Sequence, residues 1–119
     1  MEEIIINGVK YVPETSSKNV VNTDGLEYCM VRTYSAGVFA GYLESRDGKE
    51  VVLRNARRIW YWSGAASLSE LATRGTSDPG NCKFPCAVDK VTLMEAIEII
   101  PITEAAKNSI DEVPEWTIQ

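Results

Sequence analysis

The sequence predicts an α+β domain, with short helices packed against an antiparallel β-sheet. β-rich runs occupy the first half of the chain and helix signals the second half, a segregation typical of this class. The connections between the predicted strands are too short for the crossover that parallel strands need. The 119 residues suit one domain with one core. We expect a hairpin with a loop, a sheet, and a region of helices with one further strand or helix, at residues 1–25, 26–62 and 63–119.

The first predicted element is a β-hairpin at residues 4–12. Two apolar runs flank Asn7-Gly8, a dipeptide that accepts the positive φ angles of a type I′ turn. Pro13 ends the second run. Residues 13–25 are polar and rich in turn formers, which predicts a surface loop.

Three or four strands of the main sheet are predicted next. The dipeptides Ala36-Gly37 and Asp47-Gly48 supply the connecting turns. The predicted strands are residues 26–35, 38–45, 50–56 and 57–62. The last two alternatively form one long bent strand.

A helix is predicted at residues 67–74. Ser67 and Glu70 match a capping box, in which the hydroxyl and the carboxylate each accept a hydrogen bond from a free N–H at the helix start. Gly75 ends this helix, and residues 76–86 form a loop.

The remaining elements include one ambiguous segment. Residues 91–100 contain both a helix-favouring Met-Glu-Ala and an apolar run typical of a buried strand, so helix and strand both stay open. Thr103 is the predicted N-cap of a second helix at residues 104–110, which Pro114 closes.

Composition excludes several functions. The chain has 12 basic residues, 17 acidic residues and no histidine. Without histidine it contains no Ser–His or Cys–His nucleophile pair, so we expect no enzymatic activity, no catalytic residue and no cofactor. The pI near 4.7 argues against binding to a long nucleic acid. The acidic N-terminus shows neither a signal peptide nor a membrane span, which predicts a cytoplasmic protein.

The three cysteines are an odd number in a chain without a secretion signal, which favours free thiols. Cys82 and Cys86 supply only two of the four ligands that zinc requires. We therefore expect neither a disulfide framework nor a metal site.

The net charge of −5 conceals a cationic middle segment. Residues 1–31 carry −3, residues 32–86 carry +3 and residues 87–119 carry −5. All six arginines lie in the middle segment. In its densest stretch, residues 54–62, three arginines run into three aromatic residues.

If this stretch is an extended strand, its side chains alternate between two faces. Each face then carries both a guanidinium group and an aromatic ring. One face holds Arg54, Arg58, Trp60 and Trp62, and the other holds Asn55, Arg57, Ile59 and Tyr61. Guanidinium groups bind phosphate oxygens in pairs, and planar rings stack on bases. The stretch therefore suits a small anionic aromatic ligand, such as a nucleotide.

A structural interpretation competes with ligand binding. Tryptophan is a strong strand former that often fills a core or a subunit interface, which favours a structural role for Trp60 and Trp62. Exposed arginines commonly pair with carboxylates across strands, here Glu44, Asp47 and Glu50.

Two more aromatic residues belong to the predicted ligand-binding set. Tyr34 shares one predicted strand face with Arg32. Phe84 lies in a loop rich in glycine and proline that is predicted to be exposed. Such a ring either caps a ligand or packs back onto the core.

Two segments resemble a known family. Residues 31–72 contain the string NARRIWYW at positions 55–62, and residues 88–101 read VDKVTLMEAIEIIP. These strings are similar to the first-described anti-Thoeris "sponge" proteins of bacteriophages. The resemblance implies an N-terminal antiparallel sheet followed by helices.

The resemblance also implies a function. Such a protein binds and sequesters a cyclic ADP-ribose isomer, the signal made by a bacterial TIR-domain defence protein, without degrading it. The downstream NADase effector then stays inactive in the host bacterial cytoplasm. Family members form homodimers or hexamers with the ligand near a subunit interface. Some also bind cyclic oligonucleotide signals at separate sites.

Site residues follow from the same resemblance. It implies Arg32, Arg57 and Arg58 as pyrophosphate contacts, and Phe84 or Trp60 as the ring that stacks on adenine. The region after residue 100 has no arginine, so a family contact from a late arginine has no counterpart here. The alternative function is a protein–protein interaction or structural phage protein, with the Arg/Trp strand as an oligomer or partner interface.

Overall fold

The computed structural model describes residues 20–118. The predicted hairpin at residues 4–12 and most of the loop at 13–25 lie outside the described residues. The elements are β1 (Glu27–Thr33), β2 (Val38–Asp47), β3 (Glu50–Arg58), α1 (Leu68–Arg74), a 3₁₀ turn (Pro79–Asn81), β4 (Ala87–Leu93), β5 (Ala96–Pro101) and α2 (Glu104–Asp111). The predicted α+β class is confirmed.

The five strands form one antiparallel sheet in the order β4-β3-β2-β1-β5. Its two edge strands, β4 and β5, are consecutive in the chain and joined only by Met94 and Glu95. Across a flat sheet they would lie four strand spacings apart, about 19 Å, whereas this connection spans at most about 11 Å. The sheet therefore rolls up. The backbone N–H of Ala96 donates to the carbonyl of Lys49 at 2.9 Å, which ties β5 to the β2–β3 turn.

Each face of the rolled sheet buries its own core. The inner face holds a cluster contributed by strands alone, including Val31, Phe39 and Leu53. The outer face packs against both helices, where Leu71 of α1 and Ile110 of α2 join the second cluster. The helices thus cover one face, while curvature of the sheet buries the other.

Both predicted helices are confirmed. Ser67 is the N-cap of α1, and its hydroxyl accepts from the Glu70 N–H at 3.1 Å. The Glu70 carboxylate accepts from Ala66 at 2.7 Å, one residue earlier than a capping box predicts. Thr103 caps α2 by accepting from Ala106 at 3.1 Å. Neither α-helix within residues 20–118 is long and apolar enough to span a bilayer.

A helix separates the first three strands from the last two, since α1 lies between β3 and β4. The predicted helix at residues 67–74 likewise precedes the strand alternative for residues 91–100. The ambiguous segment at 91–100 is extended and divides between β4 and β5. Val91 pairs with β3, and Ile99 and Ile100 pair with β1. These pairings outweigh the helix propensity of Met-Glu-Ala, of which Met94 and Glu95 form the turn and Ala96 begins β5.

The Arg/Trp stretch is not extended throughout. β3 ends at Arg58, so the predicted strand at residues 57–62 is wrong. Asn55 has φ of 50° and lies at a shift in the pairing of β2 with β3, which marks a bulge. Because Arg54 and Arg57 then pair with Tyr42 and Ala40, both point to the helix-covered face. The alternation predicted from an unbroken strand is therefore wrong.

Candidate functional site

The six predicted site residues separate into two groups. Arg32, Tyr34 and Arg58 lie around the β1–β2 turn, and Arg57, Trp60 and Phe84 lie near the C-terminal end of α2. The first group is held by β1, the β1–β2 turn and the end of β3, and the second by the end of β3 and the loops that follow it. The two groups offer different chemistry.

Around the β1–β2 turn, the side chains remain accessible. Arg32 on β1 pairs with Glu98 on β5, with Nε to Oε1 at 2.9 Å, and both side chains are nearly half exposed. Tyr34 is 79% exposed, while its backbone N–H donates to Glu95 at 2.9 Å. Arg58 donates from Nη1 to the carbonyl of Ala36. Tyr34 is thus the most exposed ring of the predicted set.

Arg58 also stacks over Phe39, with Cζ 4.3 Å from the ring centroid. The guanidinium has five N–H donors, and its contact with Ala36 uses one of them. Arg58 is exposed and keeps its remaining N–H donors. It is therefore the arginine of the predicted set that is best placed to bind an anion.

Arg57 is partly buried, and its side chain is held by backbone carbonyls. Its Nε donates to Pro85 at 3.0 Å and its Nη1 to Ile110 at 3.1 Å. Its Nη2 donates to Phe84 at 3.0 Å and to Val113 at 2.9 Å. Burial lowers the pKa of this guanidinium. Four of its five donors are therefore engaged in joining β3, the loop before β4 and the end of α2, which leaves Arg57 unsuited to hold a pyrophosphate.

Phe84 is fully buried in the core that faces the helices. Of the two alternatives for its ring, packing back onto the core is the one that the structure has, while the neighbouring Lys83 and Cys86 are exposed. The aromatic ring is removed from water and packs beside the Arg57 guanidinium, with Cζ 5.4 Å from the ring centroid. Within this fold its ring offers no face for a base to stack on.

Trp60 belongs to an exposed group that we call the aromatic platform: Trp60, Tyr61, Lys83 and Trp116. The indole rings of Trp60 and Trp116 stack with centroids 5.0 Å apart and an interplanar angle of 21°. The Lys83 ammonium lies 5.6 Å from each indole and 5.8 Å from the Tyr61 ring. The platform combines flat rings with a positive charge, the two features that the sequence predicted for the site.

Sequence reasoning missed three platform residues. Lys83 and Trp116 lie 23 and 56 residues after Trp60 in the chain. They meet at a short extended segment formed by Lys83 and Phe84. Tyr61, next to Trp60, pairs with Lys83, and Glu115, next to Trp116, pairs with Phe84. The aromatic type of Trp116 was the only available signal, and it does not distinguish this position from a core tryptophan.

The structural interpretation holds for two residues of the Arg/Trp stretch. Arg54 pairs with Glu44 at 3.1 Å and lies 3.9 Å from Asp89, the cross-strand arrangement considered for these arginines. The Glu44 contact is the largest cause of the raised pKa of Arg54. Trp62 is half-buried against the helix-covered core.

An open recess of about 530 Å³ lies between β3, the start of β4 and the end of α2. Two carboxylates make it unfavourable for an anion. Its lining residues are Arg57, Cys86, Ala87, Asp111, Val113 and Glu115. Within residues 20–118, no three Cys, Asp or Glu side chains converge where they could hold a metal ion.

Comparison with known proteins identifies a family. No curated protein and no solved structure matches the chain significantly. A family model matches residues 26–110, from just before β1 to the last turn of α2. The matched region contains Trp60 and Lys83 and ends before Trp116. The chain therefore belongs to the family described as Domain of unknown function (DUF6948).

Proposed function

We propose that this protein binds and sequesters a cyclic ADP-ribose isomer or a related cyclic nucleotide without degrading it, as a phage counter-defence protein in the host cytoplasm. The observation that carries the proposal is the accessible ring surface of Trp60, stacked on Trp116 beside Lys83. Planar rings next to a cation suit a ligand that carries both a base and phosphate. The resemblance of residues 31–72 to anti-Thoeris sponge proteins supplies the biological context.

Sequestration requires tight, reversible binding and no chemistry, which suits a chain without histidine. It also requires slow release of the ligand. An open surface leaves a ligand in contact with water, so we propose a homodimer or hexamer in which a second copy covers the bound nucleotide.

Calorimetric titration with a panel of cyclic ADP-ribose isomers and cyclic dinucleotides tests the proposal. We expect saturable binding of a cyclic ADP-ribose isomer. Heat denaturation of the complex should return the ligand intact, as chromatography and mass spectrometry would show. Linearised ligand would instead indicate a hydrolase, and an absence of binding across the panel would contradict sequestration.

Arg58→Gln tests the predicted pyrophosphate contact, because Arg58 is exposed and, within residues 20–118, the one hydrogen bond of its side chain is with Ala36. Weaker nucleotide binding with an unchanged oligomer would place the phosphates of the ligand at the β1–β2 turn, as the resemblance implies for Arg58, and unchanged binding would leave the aromatic platform as the site. Arg57→Ala is unsuitable, since removal of four hydrogen bonds would disturb the fold whether or not a ligand binds.

The second candidate function is a protein–protein interaction through the aromatic platform. The exposure of Trp60, Tyr61 and Trp116 in one patch favours it, because tryptophan and tyrosine are frequent interface anchors. Light scattering separates the two functions. Without any nucleotide present, Trp60→Ser should dissociate an oligomer that is held together by the platform, whereas an oligomer that uses the platform only to cover a nucleotide should stay intact.

A further inference from the structure

The aromatic platform exposes large rings in one place. Trp60 is 59% exposed, Tyr61 49% and Trp116 43%. By contrast, the ring of Phe84, which follows Lys83 in the chain, is fully buried. Exposed tryptophan surface is costly to leave in water, so two indoles that stack and still present open ring area indicate a surface that meets another molecule.

The platform is positioned by the backbone. Tyr61 and Lys83 exchange two hydrogen bonds, at 3.3 and 2.8 Å, and the Trp116 N–H donates to Phe84 at 3.0 Å. The carbonyl of Phe84 also accepts from Arg57 at 3.0 Å. Because these bonds fix the three chain segments that carry the rings, a ligand would meet rings already in place, which lowers the entropy cost of binding.

Lys83 lacks a carboxylate partner among residues 20–118, unlike Lys90 and Lys107, which pair with Glu44 at 3.8 Å and Asp111 at 2.6 Å. Its ammonium instead lies against the three rings of the platform. In a chain of net charge −5, an unpaired lysine beside stacked indoles gives a local positive potential next to a flat apolar surface.

We infer that the aromatic platform is a binding site for a purine mononucleotide unit, with the base stacked on the exposed indole surface and the phosphate on the Lys83 ammonium. This inference rests on the proposed function and names the site at which the base of the sequestered ligand binds. Base–aromatic stacking tolerates different bases. The site therefore recognises a planar base joined to an anion, and further contacts must provide selectivity among nucleotides.

The test uses AMP as the probe, with adenosine and ribose 5-phosphate as comparison compounds. Titration of the full chain is followed by quenching of tryptophan fluorescence, with excitation where adenine does not absorb. We expect AMP to bind best, adenosine more weakly, and ribose 5-phosphate without quenching. Equal quenching by AMP and ribose 5-phosphate would overturn the inference, because it would show that the base does not contribute to binding.

Three variants make the test specific. Trp60→Leu should weaken AMP binding by about tenfold or more, as loss of a stacked base predicts. Lys83→Met should weaken AMP roughly tenfold while leaving adenosine unchanged. Lys90→Met, on β4, is the matched control and should match the unmodified protein. Since Lys83 and Lys90 are both exposed, neither lysine variant should impair folding.

The outcome separates this inference from the proposed function. If a cyclic ADP-ribose isomer binds by calorimetry and Trp60→Leu leaves its affinity unchanged, the platform assignment is overturned and sequestration stands. If AMP binds with the expected variant pattern while no cyclic nucleotide binds, the platform is supported and sequestration of a cyclic signal is contradicted.

Discussion

Arg57 illustrates, at the scale of one residue, how burial changes what a guanidinium does. The same side chain that would bind phosphate on a surface here donates to four backbone carbonyls. Two of them, those of Ile110 and Val113, belong to the end of α2 and the residues just after it. Carbonyls at a helix C-terminus lack partners within the helix, so a cation that donates to them contributes to stability. Arg57 is therefore a structural residue that also supports the aromatic platform.

The first prediction compares Arg57 with Arg54. Arg57→Met should lower the free energy of unfolding by about 2–4 kcal/mol, because it removes four hydrogen bonds that a charged group donates to backbone carbonyls. Arg54→Met removes an exposed ion pair with Glu44 and should cost less than about 1 kcal/mol. Urea denaturation measures both values. Equal losses for the two variants would contradict the structural role of Arg57.

The second prediction concerns thiol reactivity. Cys29 and Cys82 are buried, and Cys86 is exposed. Cys82 is further held by the Ser63 N–H, which donates to its sulfur at 3.4 Å. A thiol reagent such as Ellman's reagent should label one thiol per folded chain rapidly and the other two only after unfolding. Cys86→Ser should abolish the rapid phase, and a second rapid thiol would contradict this placement.

At the scale of elements, the contact between α1 and α2 depends on Gly75, which ends α1. Gly75 has φ of 81°, and its N–H donates to Leu71. A Cβ atom at this position would lie 2.3 Å from Cβ and 2.4 Å from Oγ of Ser109 on α2. The residue thus combines a backbone conformation that favours glycine with a close approach between the two helices.

The third prediction tests this contact. Gly75→Ala should lower the free energy of unfolding by about 1–3 kcal/mol, since positive φ and overlap with Ser109 both oppose a methyl group. Gly80→Ala is the matched control, because a Cβ there meets nothing within 4 Å, and it should change stability by less than about 0.5 kcal/mol. Thermal denaturation of both variants provides the measurement. A Gly75→Ala protein as stable as Gly80→Ala would refute the proposed packing constraint.

At the scale of the whole molecule, the rolled sheet buries groups that ionise only at high pH. Burial raises the pKa of the Cys29 thiol to about 11 from an ordinary value of 9.0, and desolvation also raises the pKa of Tyr28. Between pH 9 and 11 the unfolded chain loses the Cys29 proton while the folded chain keeps it. The contribution of Cys29 to the free energy of unfolding is therefore fully present below pH 9, and it is lost as the pH rises through 11.

The fourth prediction measures this dependence. The free energy of unfolding of the unmodified protein should decline between pH 9 and 11 more steeply than that of Cys29→Ala, by up to about 1.4 kcal/mol per pH unit. Urea denaturation at a series of pH values gives both slopes. Identical slopes would show that Cys29 does not titrate differently in the folded and unfolded states.

Local signals in the sequence determined the class of the domain, the antiparallel pairing and both helices. The N-caps Ser67 and Thr103 and the stop at Gly75 act through hydrogen bonds and backbone angles within a few residues. Such local interactions depend little on the rest of the chain, so the order of residues is enough to predict them.

The candidate site was predictable only in part. Composition identified residues 54–62 as an Arg/aromatic stretch, and the structure leaves Trp60 exposed at its end. The bulge at Asn55 reversed the predicted faces, since one residue in a left-handed conformation shifts the alternation of every residue on one side of it. Tertiary packing then decided between the two alternatives for Phe84, because it buries the ring in the core.

The sequence by itself determined that this protein is a single α+β domain in which an acidic chain carries a cationic aromatic middle segment. Only the tertiary structure decided which of those cations and rings reach the surface. The reason is physical: Arg57 and Arg58 are neighbours of identical chemistry, yet adjacent residues of a strand point to opposite faces. One therefore donates to the carbonyl of Ile110 near the end of α2, while the other remains exposed beside the β1–β2 turn.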